Sequence, residues 1–198
     1  MKEFWNERYG AEEAAYGKEP NAFLAEQLAL LTPGSVLLPC DGEGRNALHA
    51  ARTGWDVHSF DYSSEGVEKA QRWAAEADVT LNACVADAFA FEPGRSFDVV
   101  ALVFAHMPAD KRQAFHHRAA SWLRPGGTLI LEGFNPDQLQ FTSGGPKDPS
   151  MLFTEAMLRE DFAELDIVQC ELARTELSEG PFHQGPAAVA RLVATRRA

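Results

Sequence analysis

Residues 36–51 read VLLPCDGEGRNALHAA. An apolar run from Ser35 to Pro39 leads through a turn, Cys40 to Gly44, into a stretch where Asn46, Ala47, Leu48, Ala50 and Ala51 recur at helical spacing. Gly54 closes that stretch as a C-terminal breaker. Glycine in a strand-to-helix turn lets the backbone approach a ligand without Cβ interference, and the helix N-terminus offers free N–H groups to an anionic group. The turn is not a G-x-G-x-x-G fingerprint, because Cys40 stands at its first glycine and Asn46 and Ala47 follow. It is not a phosphate-binding loop of the Gly-Lys-Ser/Thr type either. A tight turn without a ligand remains the alternative at this point.

Outward from this unit, short apolar runs alternate with helix-patterned stretches, which predicts a parallel sheet covered by helices. Asp56 to Phe60 is a second strand, and Ser63 caps a helix whose Val67, Ala70, Trp73, Ala74 and Ala77 share a face. Thr80 to Val85 and Phe97 to Val103 are the third and fourth strands. Pro108 opens a helix with Phe115, Ala119, Trp122 and Leu123 on one face, which Arg124-Pro125-Gly126-Gly127 stops before a fifth strand, Thr128 to Leu131. Asn135 to Ser150 carries three prolines and Gly144-Gly145 without apolar periodicity, the pattern of a structureless functional or mobile loop. A short helix, Thr154 to Asp161, precedes strands at Asp166 to Arg174 and Ala187 to Thr195, read as an antiparallel pair at the sheet edge. No linker composition divides residues 1–198, so one domain is expected.

The chain has 198 residues, 45% of them hydrophobic and 24% charged, as in ordinary globular proteins. Its 18 Lys and Arg against 29 Asp and Glu give a net charge of -11, which opposes binding to nucleic-acid phosphates. Cys40, Cys84 and Cys170 form no CxxC pair, so no zinc site or disulfide framework is expected, and reduced thiols fit a cytoplasmic protein. The N-terminus lacks the apolar stretch of a secretion signal, and no run approaches the length of a membrane span. Neither a nucleic-acid nor a membrane partner is expected, and no metal.

Asp61 ends the second strand 17 positions after Gly44, near the spacing at which an acidic side chain binds both ribose hydroxyls of a nucleotide. Asp87 follows the third strand, where a carboxylate can accept from an exocyclic adenine amine while the Ala88 N–H reads the ring. Three such features at successive strand C-termini converge on the crevice where open α/β sheets bind ligands. The order VLLPCDGEGRNA, FDYS, ADAF, FDVVALVFAHMP and LRPGGTLILEGF resembles the class I S-adenosylmethionine-dependent methyltransferases over nearly the whole chain. FWNERYG, AYGKEPNAFL and the GGPKDP loop are similar to small bacterial members of the tellurite-resistance and thiopurine methyltransferase group. The first motif departs from that pattern, with Leu38 where an acidic residue and Cys40 where a glycine is typical.

The resemblance implies an α/β, Rossmann-like fold: a three-layer α/β/α sandwich with a mostly parallel seven-stranded sheet and an antiparallel edge pair. It implies S-adenosylmethionine as cofactor and S-adenosylhomocysteine as product. Cys40, Asp41, Gly42, Gly44 and Asn46 would line the turn beneath the cofactor, Asp61 would bind the ribose, and Tyr62 would flank the adenine. Asp87, Ala88 and Phe89 would read the adenine edge, with Phe104, Ala105 and His106 beside the sulfonium. The Pro125-Gly126-Gly127 turn would be structural, with no ligand contact.

Trp5 and Tyr9 lie at i, i+4 on an expected helix, with Arg8 beside them and Tyr16 following. Residues 1–20 either pack on the domain as an amphipathic helix or fold over the site as a lid. In the second case Arg8 pairs with a carboxylate, and Trp5 and Tyr16 exclude water and meet the sulfonium. Residues 134–153 either shape the acceptor pocket or cover the core. An amine or neutral thiol acceptor needs a proton acceptor, for which His106, His183 and Glu132 are the candidates. An anionic chalcogenide needs none. His183 alternatively sits in a surface loop, Glu132 alternatively caps the loop after the fifth strand, and the adjacent His116 and His117 are expected on a solvated helix face. The expected activity is methyl transfer to a small-molecule acceptor, with soft sulfur, selenium or tellurium nucleophiles indicated by the resemblance, in a monomer or homodimer. The competing readings are a non-catalytic S-adenosylmethionine or nucleotide sensor and an NAD-dependent Rossmann oxidoreductase, the latter opposed by the missing glycine and the short chain.

Overall fold

The computed structural model describes residues 2–197. Ser35–Pro39 forms β1, with every residue buried, because both faces of the sheet are covered. Val36 and Leu38 point to one face and meet Phe23, Leu24 and Leu28 of α2 (Ala22–Ala29) and Ala47 and Ala50 of α3 (Arg45–Arg52). Leu37 points to the other, where it shares a core with Phe115 and Ala119 of α5 (Ala109–Ser121). Each such fully buried Leu or Phe contributes roughly 1.5–3 kcal/mol relative to exposure.

β2 (Asp56–Asp61) and β3 (Asn82–Val85) continue from one side of β1, β4 (Phe97–Val103) and β5 (Leu123–Phe134) from the other. β7 (Gln184–Arg196) and β6 (Leu165–Ser178) complete the order β3-β2-β1-β4-β5-β7-β6. Pairings from β3 to β5 are parallel; β5–β7 and β6–β7 are antiparallel. The sheet thus runs outward in both directions from β1 and β4, which creates a crevice at their C-terminal ends. α4 (Ser64–Glu76) is capped by the Ser63 hydroxyl, which accepts from the Gly66 N–H at 3.2 Å.

Several expectations need correction. α2 lies ahead of β1 and carried no separate prediction; its cap is Asn21, whose side-chain oxygen accepts from the Leu24 N–H at 2.9 Å. β6 and β7 are longer than their apolar alternation, because the ladder continues to Ser178 opposite Gln184 and leaves only Glu179–His183 as a connection. Glu132 lies inside β5 and does not follow it. The stretch after Phe134 is not structureless. It holds 3₁₀ turns at Pro136–Gln140 and Pro149–Met151, and buried Gln138 accepts from the Ala188 N–H at 2.8 Å and donates to Ser143 Oγ at 3.0 Å.

His116 is not on a solvated face. It is fully buried beside Phe115, stacks on Phe162 with ring centroids 4.8 Å apart, and meets Asp161 at 2.7 Å, while His117 is exposed. Asp161 closes α6 (Glu155–Asp161) and also accepts two hydrogen bonds from Arg112, at 2.8 and 3.2 Å.

Candidate functional site

At the end of β1 the chain turns through three residues of left-handed backbone: Cys40 (φ 57°), Gly42 (φ 56°) and Gly44 (φ 80°). Cys40 adopts it without being glycine, a strained position at the head of the turn. The Asp61 carboxylate at the end of β2 accepts from the Gly42 N–H at 2.9 Å and the Ser63 N–H at 2.8 Å. Asp41 accepts from Asn46 Nδ2 and the Ala47 N–H, both at 3.1 Å. Neither carboxylate forms an ion pair among the described residues. Desolvation pushes Asp61 up and Asp41 up to about 7, against the opposing hydrogen bonds.

Beyond β3, exposed Asp87 accepts from the Phe89 N–H at 2.7 Å, next to buried Ala88 and half-buried Phe89. Tyr62 is exposed at the end of β2. These residues fit S-adenosylmethionine: two desolvated carboxylates outside any ion pair among the described residues suit an ammonium group and a ribose diol, and the glycine turn admits close backbone approach.

Residues 2–19 lie directly on this turn. α1 (Lys2–Tyr9) stacks Trp5 on Tyr9, with centroids 5.4 Å apart. Tyr9 is buried over Gly42 and Gly66; a methyl group on Gly42 would stand 2.5 Å from its hydroxyl. Burial and the nearby Asp61 push the Tyr9 phenol well up. A buried ion pair, Lys69–Glu43 at 2.6 Å, fastens the segment: Lys69 also donates to the Ala11 carbonyl at 2.6 Å, and Glu43 accepts from the Ala15 N–H at 2.9 Å. Arg8 donates to the Tyr16 hydroxyl at 3.0 Å and lies 4.0 Å over the Phe182 ring; it makes no ion pair with a carboxylate among the described residues.

Phe104 follows β4 in left-handed backbone (φ 51°) and stacks on Phe134 at 4.6 Å, with buried Ala105 beside it. The three acceptor-side candidates differ sharply here. His106 is fully occupied: Nδ1–H donates to the Met151 carbonyl at 2.7 Å and Nε2 accepts from the Phe134 N–H at 3.0 Å. Burial holds it at about 4. Glu132 accepts from Arg191 and from Asn21 Nδ2, both at 2.6 Å.

His183 is buried and does not lie on the surface. Its Nδ1–H donates to Glu179 at 3.1 Å, and its ring packs edge-on against Tyr16 at 4.5 Å and Phe104 at 4.6 Å. Nε2 has no hydrogen-bond partner among the described residues, yet is not closed off from solvent. Gly144 of the GGPKDP stretch packs closely on this edge of the ring, where a methyl group on it would stand 2.6 Å from Cδ2 and 3.1 Å from Nε2.

Glu43, Arg45, Lys69 and Glu179 escaped the sequence reading. The one local signal was the spacing of Glu179 and His183, four apart around a glycine and a proline.

Residues 36–127 match the family profile of a methyltransferase domain. No curated protein matches the chain in sequence. Among solved structures, one from work on converting a disulfide bond into a thioacetal group during echinomycin biosynthesis is similar at 20% identity and TM-score 0.79, over 100% of this chain and 92% of that one. TehB from Haemophilus influenzae is similar at 16% identity and TM-score 0.73, over 99% and 67%. Magnesium protoporphyrin IX methyltransferase (ChlM) from Synechocystis PCC 6803 with bound SAH is similar at 21% identity and TM-score 0.69, over 87% and 79%. The chain has the class I S-adenosylmethionine-dependent methyltransferase fold, with a match to a methyltransferase domain over residues 36–127.

Proposed function

We propose that the protein methylates a small protic acceptor, such as a thiol, selenol or ring N–H, in a pocket formed by Phe104, Phe134, Tyr16 and His183. One observation carries this reading: of the three acceptor-side candidates, His183 alone keeps a ring nitrogen without a protein partner, and that nitrogen lies among aromatic rings. When bound, S-adenosylmethionine supplies an electrophilic methyl group on a sulfonium. Asp61 is assigned to the ribose, Tyr62, Asp87, Ala88 and Phe89 to the adenine, and Cys40, Asp41, Gly42, Gly44 and Asn46 to the turn beneath the methionine. Trp5, Arg8 and Tyr16 belong to a lid of residues 1–20, and residues 134–153 form one wall of the acceptor pocket. Alignment of acceptor, carbon and sulfur provides much of the rate.

Burial holds the His183 ring below its ordinary range, so Nε2 is unprotonated at neutral pH and able to take the acceptor proton. The Nδ1–H bond to Glu179 fixes the tautomer that leaves this lone pair inward. A net charge of -11 favours a small neutral or cationic acceptor over nucleic acid. The described residues include no helix long and apolar enough to cross a membrane, and the three thiols are free, as in a reducing cytoplasm.

The test is S-adenosylhomocysteine formation from S-adenosylmethionine with a panel of aryl and alkyl thiols, a selenol, an aromatic amine and tellurite. Turnover of a protic acceptor is expected to fall about 10²–10⁴-fold in His183→Asn. Turnover of tellurite alone, indifferent to that substitution, would contradict the proposal.

A further inference from the structure

Behind His183 lies a buried polar chain that reaches back to the glycine turn through Arg45 and Asn21. Glu179 Oε2 accepts from His183 Nδ1 at 3.1 Å and from Arg45 Nη2 at 2.8 Å, and Glu179 Oε1 accepts from Asn21 Nδ2 at 3.2 Å. Arg45 is the first residue of α3, next to Gly44, and its Nη1 donates to the Glu19 carbonyl at 3.0 Å. The Asn21 N–H donates to Asn46 Oδ1 at 2.9 Å, and Asn46 Nδ2 donates to Asp41. An unbroken set of hydrogen bonds therefore runs from Asp41 in the glycine turn to the ring of His183. Arg45 and Glu179 have side-chain exposures of 7% and 9%, so water cannot substitute for either partner at low cost.

We infer that Glu179 is the positioning residue of the acceptor base, holding the His183 ring with Nε2 toward the pocket, and that Arg45 and Asn21 tie this carboxylate to the glycine turn. The inference rests on the reading of His183 as the base. A carboxylate on Nδ1 has two consequences: it selects the Nδ1–H tautomer and stabilises the imidazolium that forms when Nε2 takes a proton. Arg45 opposes the second by drawing on the same oxygen. Burial alone would raise the Glu179 carboxyl, but the His183 bond and the Arg45 charge outweigh it and hold it ionised. The titratable and charged groups around the ring are Glu179 on its own turn, Arg45 from α3, Arg8 from α1, Tyr16 from the N-terminal segment and His106 after β4.

The test is ¹⁵N NMR of the histidine rings in the full-length protein, with His183 assigned through His183→Asn, as a function of pH. The wild type is expected to show the Nδ1–H tautomer. Glu179→Gln, which keeps an acceptor oxygen but removes the charge, is expected to retain that tautomer and lower the proton affinity of His183 about tenfold or more. Arg45→Gln is expected to change proton affinity in the opposite direction, and Glu179→Asp to restore much of the wild-type value. A merely structural dyad gives no such opposed pair. Unchanged proton affinity of His183 in folded Glu179→Gln would overturn the inference. The expected NMR response combined with methyl transfer indifferent to His183→Asn would instead overturn the base assignment itself.

Discussion

Asp41 is the residue whose chemistry departs most from the family pattern. The acidic side chain typical of the first motif is missing at Leu38, and a carboxylate stands three positions later, in no ion pair among the described residues and raised by desolvation to about 7. Only its ionised form attracts a ligand ammonium group, so ligand affinity must weaken as pH falls through 7. Calorimetric titration with S-adenosylhomocysteine should show up to about a tenfold loss per pH unit below 7, absent in Asp41→Asn. Equal affinity at pH 6 and pH 8 would remove Asp41 from the site. Gly42, Gly44, Asp61 and Asp87 were legible in the sequence because turn chemistry and strand-end spacing are local. The state of the histidines was not. His106 is occupied by Met151 and Phe134, and His116 by Asp161, partners 45 and 28 positions away for His106 and 45 for His116. Only the folded chain brings them together.

At the scale of elements, the N-terminal segment is held on α4 and the glycine turn by one ion pair. Glu43→Gln leaves Lys69 buried without its counter-charge, and breaking a buried pair in this way costs roughly 3–5 kcal/mol. Hydrogen exchange should then accelerate for amides of residues 2–16 while β1, β4 and β5 keep their protection. Uniform acceleration would mean that the segment is part of the global unit and not a separately fastened cover. The alternation of Val168, Cys170 and Leu172 revealed β6, but its length follows from pairing with β7, which no single-strand pattern encodes. AFLAEQLA formed α2 unannounced because its eight residues are too few to display a clear period, and its start depends on the Asn21 cap.

For the whole molecule, the mostly parallel sheet with an antiparallel edge pair was legible because β–α alternation and two final alternating strands signal it. Its acid stability was not. Hydrogen bonds from His116 and Arg112 outweigh burial and hold the Asp161 carboxyl at about 2, below its unfolded value near 3.9. That stabilisation is present above pH 4 and lost as pH falls toward 2. Burial holds His116 below its ordinary value, so its contribution is full above about pH 6.5 and is also lost on acidification. Urea unfolding should show stability falling steadily from pH 6.5 to 3. Asp161→Asn should cost about 3 kcal/mol at pH 7 and flatten the lower part of that curve; an unchanged pH profile would contradict this role. Ligand binding in the crevice at the β1–β4 switch point is measured by calorimetric titration of wild type and Asp61→Ala with S-adenosylmethionine, S-adenosylhomocysteine and NAD. The wild type is expected to bind both adenosyl ligands and not NAD, and Asp61→Ala to lose that binding; tight NAD binding, or adenosyl binding indifferent to Asp61, would rule out this cofactor site.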